Sequence, residues 1–371
     1  MPAWWLVPEV TLMRINGGSG PVQARLRRRN RSPMAAASIA DLFDESRRKI
    51  RAMERLLRTY SPLADEGFSM ASIRDLVVHV NDDVVSRHAF ELASSLAADL
   101  GAGLMAVLVA APVNAGVGLS AETASLAQQL AQAQRRTLLG IGDRLAAGAR
   151  QRHDLAVDVR CVDGDPVEVL QSHARAADLL ITSQRDPARE GGLSTGQSAR
   201  LLVGAACPVL TVPYVGLPAA EAVSGEAAPL RRALVAWADT RESARAVRDA
   251  LPLLARASHV ELVSFAKDGQ SDGSSQRRAA LERMVTYLAR HGVQALPTLL
   301  SQAEASVGER MRRGGVPDVA VAEALLSHAA DMHADFIVMG GYGHSRLWEL
   351  VLGGVTRTML ETMTVPVLMS H

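Results

Sequence analysis

The chain repeats itself, and that repeat constrains every other reading. Arg74-Asp75-Leu76-Val77-Val78 resembles Arg232-Ala233-Leu234-Val235-Ala236, Cys207-Pro208-Val209-Leu210 resembles Val365-Pro366-Val367-Leu368, and in both cases the copies stand 158 positions apart. Between these ends, Ser172-His173-Ala174 before Asp178-Leu179-Leu180-Ile181 is echoed by Ser327-His328-Ala329 before Asp335-Phe336-Ile337-Val338. The period is far longer than the roughly 20 to 50 residues of a solenoid repeat and matches a whole domain. Two tandem domains are therefore expected, at 71–213 and 230–371, joined by a linker at 214–229 whose Gly216, Pro218, Gly225 and Pro229 suit a connection.

Within each copy, short apolar runs alternate with segments of helical period, the pattern of βαβ units and of a parallel sheet covered on both faces. In the second copy, strands are expected near 231–238, 258–266, 294–301, 335–340 and 365–370, with helices near 241–256, 275–291, 317–333 and 354–363. The first copy places strands near 73–81, 103–111, 155–162, 177–183 and 207–213. Right-handed crossovers make each copy an α/β, doubly wound parallel five-stranded sheet, whose ligands bind at the strand C-terminal ends.

The composition, 48% hydrophobic and 21% charged, is that of folded domains with ordinary cores. With 40 basic against 39 acidic residues, no overall field favours DNA or an anionic membrane surface. Cys161 and Cys207 form no Cys-x-x-Cys pair, which speaks against a zinc ribbon or a disulfide framework and for a cytoplasmic location. No apolar run reaches the roughly 18 residues of a membrane span. Residues 1–70 differ in character, with Trp4, Trp5 and five clustered arginines from Arg25 to Arg31. They read as a poorly ordered extension carrying one amphipathic helix at 38–59, where Phe43, Ile50 and Leu57 recur every seven residues. The first convincing strand follows Met70, where the folded part is expected to begin.

Chemistry concentrates in the second copy. Its fourth strand ends in Gly340-Gly341-Tyr342-Gly343-His344-Ser345-Arg346, and the next helix opens at Gly353-Gly354-Val355-Thr356. Glycines at a strand end let the backbone approach a ligand, and the unpaired N–H groups of a helix's first turn suit a phosphate. The Thr356 hydroxyl is placed to donate to a phosphate oxygen or to cap the helix. A glycine-rich turn without ligand is the competing reading.

Gly340-x-x-Gly343, then nine residues and Gly353, resembles the nucleotide signature of the universal stress protein family, and the resemblance runs over 71–371. It implies an adenine nucleotide alpha hydrolase-like fold of strand order 3-2-1-4-5, a role in the stress response, and ATP or another adenine nucleotide as ligand, with or without Mg2+. Carried over residue by residue, the contacts implied are Ala236, Trp237, Met339, Gly340, Gly341, Gly343, His344, Gly353, Gly354, Val355 and Thr356. This sequence departs from the family in having Gly354 where Ser or Thr is usual, and Ala238 where an Asp is usual, with the acid moved to Asp239. Asp239 is expected to cap the helix that follows, and Trp237 either stacks on a purine or fills the core.

The first copy has Thr182, Arg185 and Thr195 at positions 158 before Gly340, Gly343 and Gly353, so no second phosphate loop is expected there. Its run Gly191-Gly192-Leu193-Ser194-Thr195-Gly196 reads as a surface loop. His328 and His333, five apart, do not fit a His-Glu-x-x-His zinc site, and no carboxylate near His344 in sequence orients it as a base. With no nucleophile elbow or Walker lysine, the chain reads as a binder and not an enzyme. The alternatives are a nucleotide-free scaffold of the same fold and a weak ATPase. Pro208–Val212 and Pro366–Ser370 end each copy as apolar edge strands and are expected to pair within the chain as a pseudo-dimer, leaving other faces for homo-oligomers.

Overall fold

The computed structural model describes residues 72–81, 84–110, 121–189, 192–217, 230–266, 271–301, 317–341 and 354–371. The extension with its expected helix, most of the linker, and Gly343, His344 and Gly353 lie outside the described residues.

The first domain runs β1 (Asp75–Val80), α1 (Val84–Leu100), β2 (Gly103–Ala110), α2 (Ala121–His153), β3 (Val157–Asp163), α3 (Pro166–Ala174), β4 (Leu179–Ser183), α4 (Thr195–Gly204), β5 (Val209–Val212). The second runs β6 (Arg232–Ala236), α5 (Arg241–Leu254), β7 (His259–Ala266), α6 (Ser271–Arg290), β8 (Ala295–Ser301), α7 (Pro317–Asp331), β9 (Phe336–Gly340), α8 (Gly354–Thr362), β10 (Val367–Ser370). Central strands are buried on both faces, as β4 and β10 are along their whole length, because helices cover both sides.

Among the described residues, ten strands form one sheet in the order β3-β2-β1-β4-β5-β10-β9-β6-β7-β8. Each half is a parallel 3-2-1-4-5 sheet, and the halves join where β5 and β10 pair antiparallel, Leu368 opposite Leu210 and Met369 opposite Val209. The expected pseudo-dimer of domains is thus built on the last strands. Helices α1, α2, α5 and α6 bury one face around Phe90, Leu96, Phe336 and Leu368, while α3, α4, α7 and α8 bury the other around Leu170, Leu202, Ile337 and Leu360. Each core therefore runs across the junction between the domains.

The repeat is one residue shorter than the sequence echoes suggest. Asp178 accepts the backbone N–H groups of Arg74 and Asp75 at 2.7 and 3.0 Å, and Asp335 accepts those of Arg231 and Arg232, both at 2.7 Å. Arg74 therefore corresponds to Arg231, an offset of 157 that β4 and β9 share, whereas the last strands stand 158 apart, as Leu180 faces Val209 and Ile337 faces Val367. The counterpart of Gly340 is then Ser183 and not Thr182, and that of Gly341 is Gln184.

Candidate functional site

The C-terminal ends of β6 and β9 lie side by side, Ala236 opposite Met339. Helix α5 leaves this edge of the sheet, and α8 must start at it, because the crossover from β9 to the parallel β10 runs its helix back against the strands. Gly354, Val355 and Thr356 form the first turn of α8, with Thr356 buried. The first turn of α8 and the glycines that end β9 thus share one edge of the second domain.

Gly340 has a packing role of its own. A Cβ there would lie 2.5 Å from the backbone nitrogen of Ser243 and 2.6 Å from the carbonyl carbon of Glu242, so only glycine lets the first turn of α5 sit on the end of β9. At Gly341 a Cβ would meet Leu202 of α4 at 2.6 Å, at the junction with the first domain. Trp237 donates its backbone N–H to Val263 at 2.8 Å and is buried, 7% exposed, in the α5–α6 core. Its indole Nε1 is buried without a hydrogen-bond partner. Such a donor costs about 1–3 kcal/mol while unpaired.

Asp239 does not cap α5. Thr240 does, accepting the Ser243 N–H at 3.2 Å while the Ser243 hydroxyl accepts the Thr240 N–H at 3.1 Å. Asp239 instead takes a left-handed backbone, φ 53°, and its carboxylate lies 3.5 Å from the Arg283 guanidinium of α6. The turn needs one residue to reverse direction before the cap, and Asp tolerates that conformation better than most. Sequence reasoning missed Glu242, a nearly buried carboxylate whose backbone lies against Gly340. Burial pushes its pKa up, but its own backbone N–H, the Arg241 guanidinium at 3.1 Å and the Thr240 hydroxyl outweigh this and hold it below the usual carboxylate range. A Thr-Arg-Glu-Ser start to a helix signals the cap, but nothing in it signals that the Glu would be buried.

The corresponding edge of the first domain is closed. Ser183 is buried, and the Gln184 side chain bridges the Leu360 carbonyl, to which Nε2 donates at 3.0 Å, and the Tyr214 N–H, which Oε1 accepts at 3.0 Å. Of the glycine run expected to be a surface loop, Gly191 lies outside the described residues, Gly192 and Leu193 precede the helix, and Thr195 and Gly196 open α4. Ser194 caps that helix, accepting the Gln197 N–H at 3.3 Å, and the Gln197 side chain accepts the Ser194 N–H at 2.9 Å, so two donors of the turn are already satisfied.

The profile of the Universal stress protein family matches residues 72–213 and again 229–371. The chain belongs to the universal stress protein family. No curated protein matches it. Among solved structures, it is similar to a universal stress protein from Archaeoglobus fulgidus, 14% identical over 80% of this chain and 97% of that one with a TM-score of 0.56, which shows the shared tandem fold. A universal stress protein family member from Burkholderia pseudomallei is 28% identical over 40% of this chain and 99% of its own, TM-score 0.31. Another universal stress protein, solved in complex with cAMP, is 20% identical over 38% of this chain and 98% of its own, TM-score 0.28.

His328 and His333 go separate ways, as their spacing implied. His328 Nε2 lies 2.9 Å from the Glu261 carboxylate of β7, which also accepts the Thr298 hydroxyl of β8 at 2.6 Å, whereas His333 stands past the end of α7 with φ 52°. Among the described residues, no three His, Cys, Asp or Glu side chains converge as a metal site would require, and no helix is long and apolar enough to cross a membrane.

Proposed function

We propose that the second universal stress protein domain binds ATP or a related adenine nucleotide, with phosphates at the first turn of α8 and the base toward Trp237, and that the chain acts in the stress response by binding without catalysis. The observation that carries this reading is the difference between two equivalent strand ends. In the second domain β9 ends in Gly340 and Gly341 and is followed by Gly343, Gly353 and Gly354; in the first, Gln184 fills the end of β4 and Ser194 and Gln197 close the helix turn. An anion suits the N–H groups of a helix's first turn; in α4 the capping box already engages two of those donors, whereas the sequence opens α8 with Gly353 and Gly354. The unpartnered Trp237 donor supports a polar acceptor, such as a ring nitrogen of a purine, at the same edge.

Mass spectrometry of the supernatant from heat-denatured purified protein, with ATP titration in the presence and absence of Mg2+, tests the reading. Adenine nucleotide released in proportion to protein supports it. No released nucleotide together with no titratable binding favours the scaffold reading, in which the glycines serve packing alone.

A further inference from the structure

Helix α2 is 33 residues long, against 20 for its counterpart α6, and its excess lies at the N-terminal end. The Arg135 guanidinium holds Asp163, the last residue of β3, at 2.9 Å and the Cys161 carbonyl at 3.0 Å, marking where the helix passes the end of the sheet. The part before Arg135 extends roughly 20 Å at 1.5 Å per residue. No described side chain from Glu122 to Thr137 is buried. Leu126 and Leu130 are 57% and 61% exposed. At about 100° per residue, Leu126, Leu130, Ala133 and Thr137 fall within about 60° of one another, roughly a quarter-turn from the face that buries Leu138, Ile141 and Ala149. A helix segment of this length is marginal in water by itself, and its leucine stripe has no partner in the described chain.

We propose that this stripe is a docking surface for a second copy of the same chain, paired antiparallel about a two-fold axis near Gln129. The charges favour that occupant. Glu122 and Arg136 flank the stripe on the same side, seven residues either side of Gln129, and both are exposed. In an antiparallel two-fold pair like flanks face each other, so Glu122 meets Arg136 of the second copy twice, while Leu126 of one helix sits between Leu130 and Ala133 of the other. The exposed positions nearest the stripe on either side, Gln129 and Gln134, carry no charge to oppose the pairing. This contact is separate from the β5–β10 junction, which lies inside one chain.

Sedimentation velocity of the full chain at up to about 100 µM tests it, since an interface this small associates weakly. The wild type is expected to shift with concentration toward twice its 39.5 kDa mass. Leu126→Glu with Leu130→Glu is expected to remain monomeric, with circular dichroism checking that its helices persist. Glu122→Arg alone is expected to weaken association by roughly tenfold, and addition of Arg136→Glu to restore it. A monomeric wild type, or association unchanged in the double leucine variant, overturns the proposal. Failure of the charge exchange to restore association overturns the antiparallel register.

Discussion

Gln184 in the first domain donates through its side-chain amide to the carbonyl of Leu360 in the last helix of the second, at 3.0 Å. Its counterpart is Gly341, which faces Leu202, the counterpart of Leu360. The two halves of the molecule thus meet across a pseudo-symmetric contact, bridged by the Gln184 amide on one side and closed by Leu202 against a bare glycine on the other. Gln184→Ala would leave the Leu360 carbonyl and the Tyr214 N–H unpaired in a largely buried place, and is expected to cost about 2 kcal/mol. Urea unfolding measures it, and nucleotide affinity should stay within about twofold of wild type, because the proposed site lies in the opposite domain.

Adjacent glycines are expected to differ in their tolerance of alanine. At Gly340 the new methyl meets the α5 backbone, which cannot yield without moving the helix, so Gly340→Ala should destabilise by about 1–3 kcal/mol. At Gly341 it meets the tip of Leu202, which can change rotamer, and the cost should be under about 1 kcal/mol. Equal costs in denaturant unfolding would contradict this packing.

Glu261 gives a pH dependence with a definite sign. Burial pushes its pKa up, but the Thr298 hydroxyl and His328 more than offset this and bring it below the usual carboxylate value, with His259 adding a smaller pull. A carboxyl whose pKa is lower in the folded state binds protons more readily when unfolded, so its stabilisation is present above the unfolded value near 4.3 and is lost as pH falls through the folded one. Stability should drop as pH falls below about 5, and Glu261→Gln should flatten that slope. Unfolding midpoints of both proteins across this range check it.

Much of this architecture could be read from the chain because buried parallel strands are apolar on both faces and stand between helical periods. Expected β9 at 335–340 and α8 at 354–363 are found at Phe336–Gly340 and Gly354–Thr362. The edge pairing of Leu210 with Leu368 followed from two apolar strands with no other cover. What could not be read was spatial. The echoes at 158 hid a shift to 157, because a residue gained between β9 and β10 leaves the last strands looking alike, and with it went the match of Gln184 to Gly341. The packing of Gly340 on Ser243 depends on how α5 lies across β9, which no local pattern encodes.

Gly354 is the first residue of α8, in a helical backbone that serine adopts freely. Gly354→Ser would add a hydroxyl donor beside the proposed phosphates. A hydrogen bond to a charged group contributes about 1.5–3 kcal/mol, so ATP affinity should rise by about tenfold or more. Weaker binding in titration calorimetry would place the phosphates elsewhere.

The central claim is that one of two homologous domains kept a nucleotide site while the other closed it. Isothermal titration of ATP into nucleotide-free full-length protein, with the stoichiometry as the readout, tests it most directly. One nucleotide per chain, abolished by Gly353→Val with Gly354→Val and unchanged by Ser194→Ala, is the predicted result; no binding, or two nucleotides per chain, would contradict it.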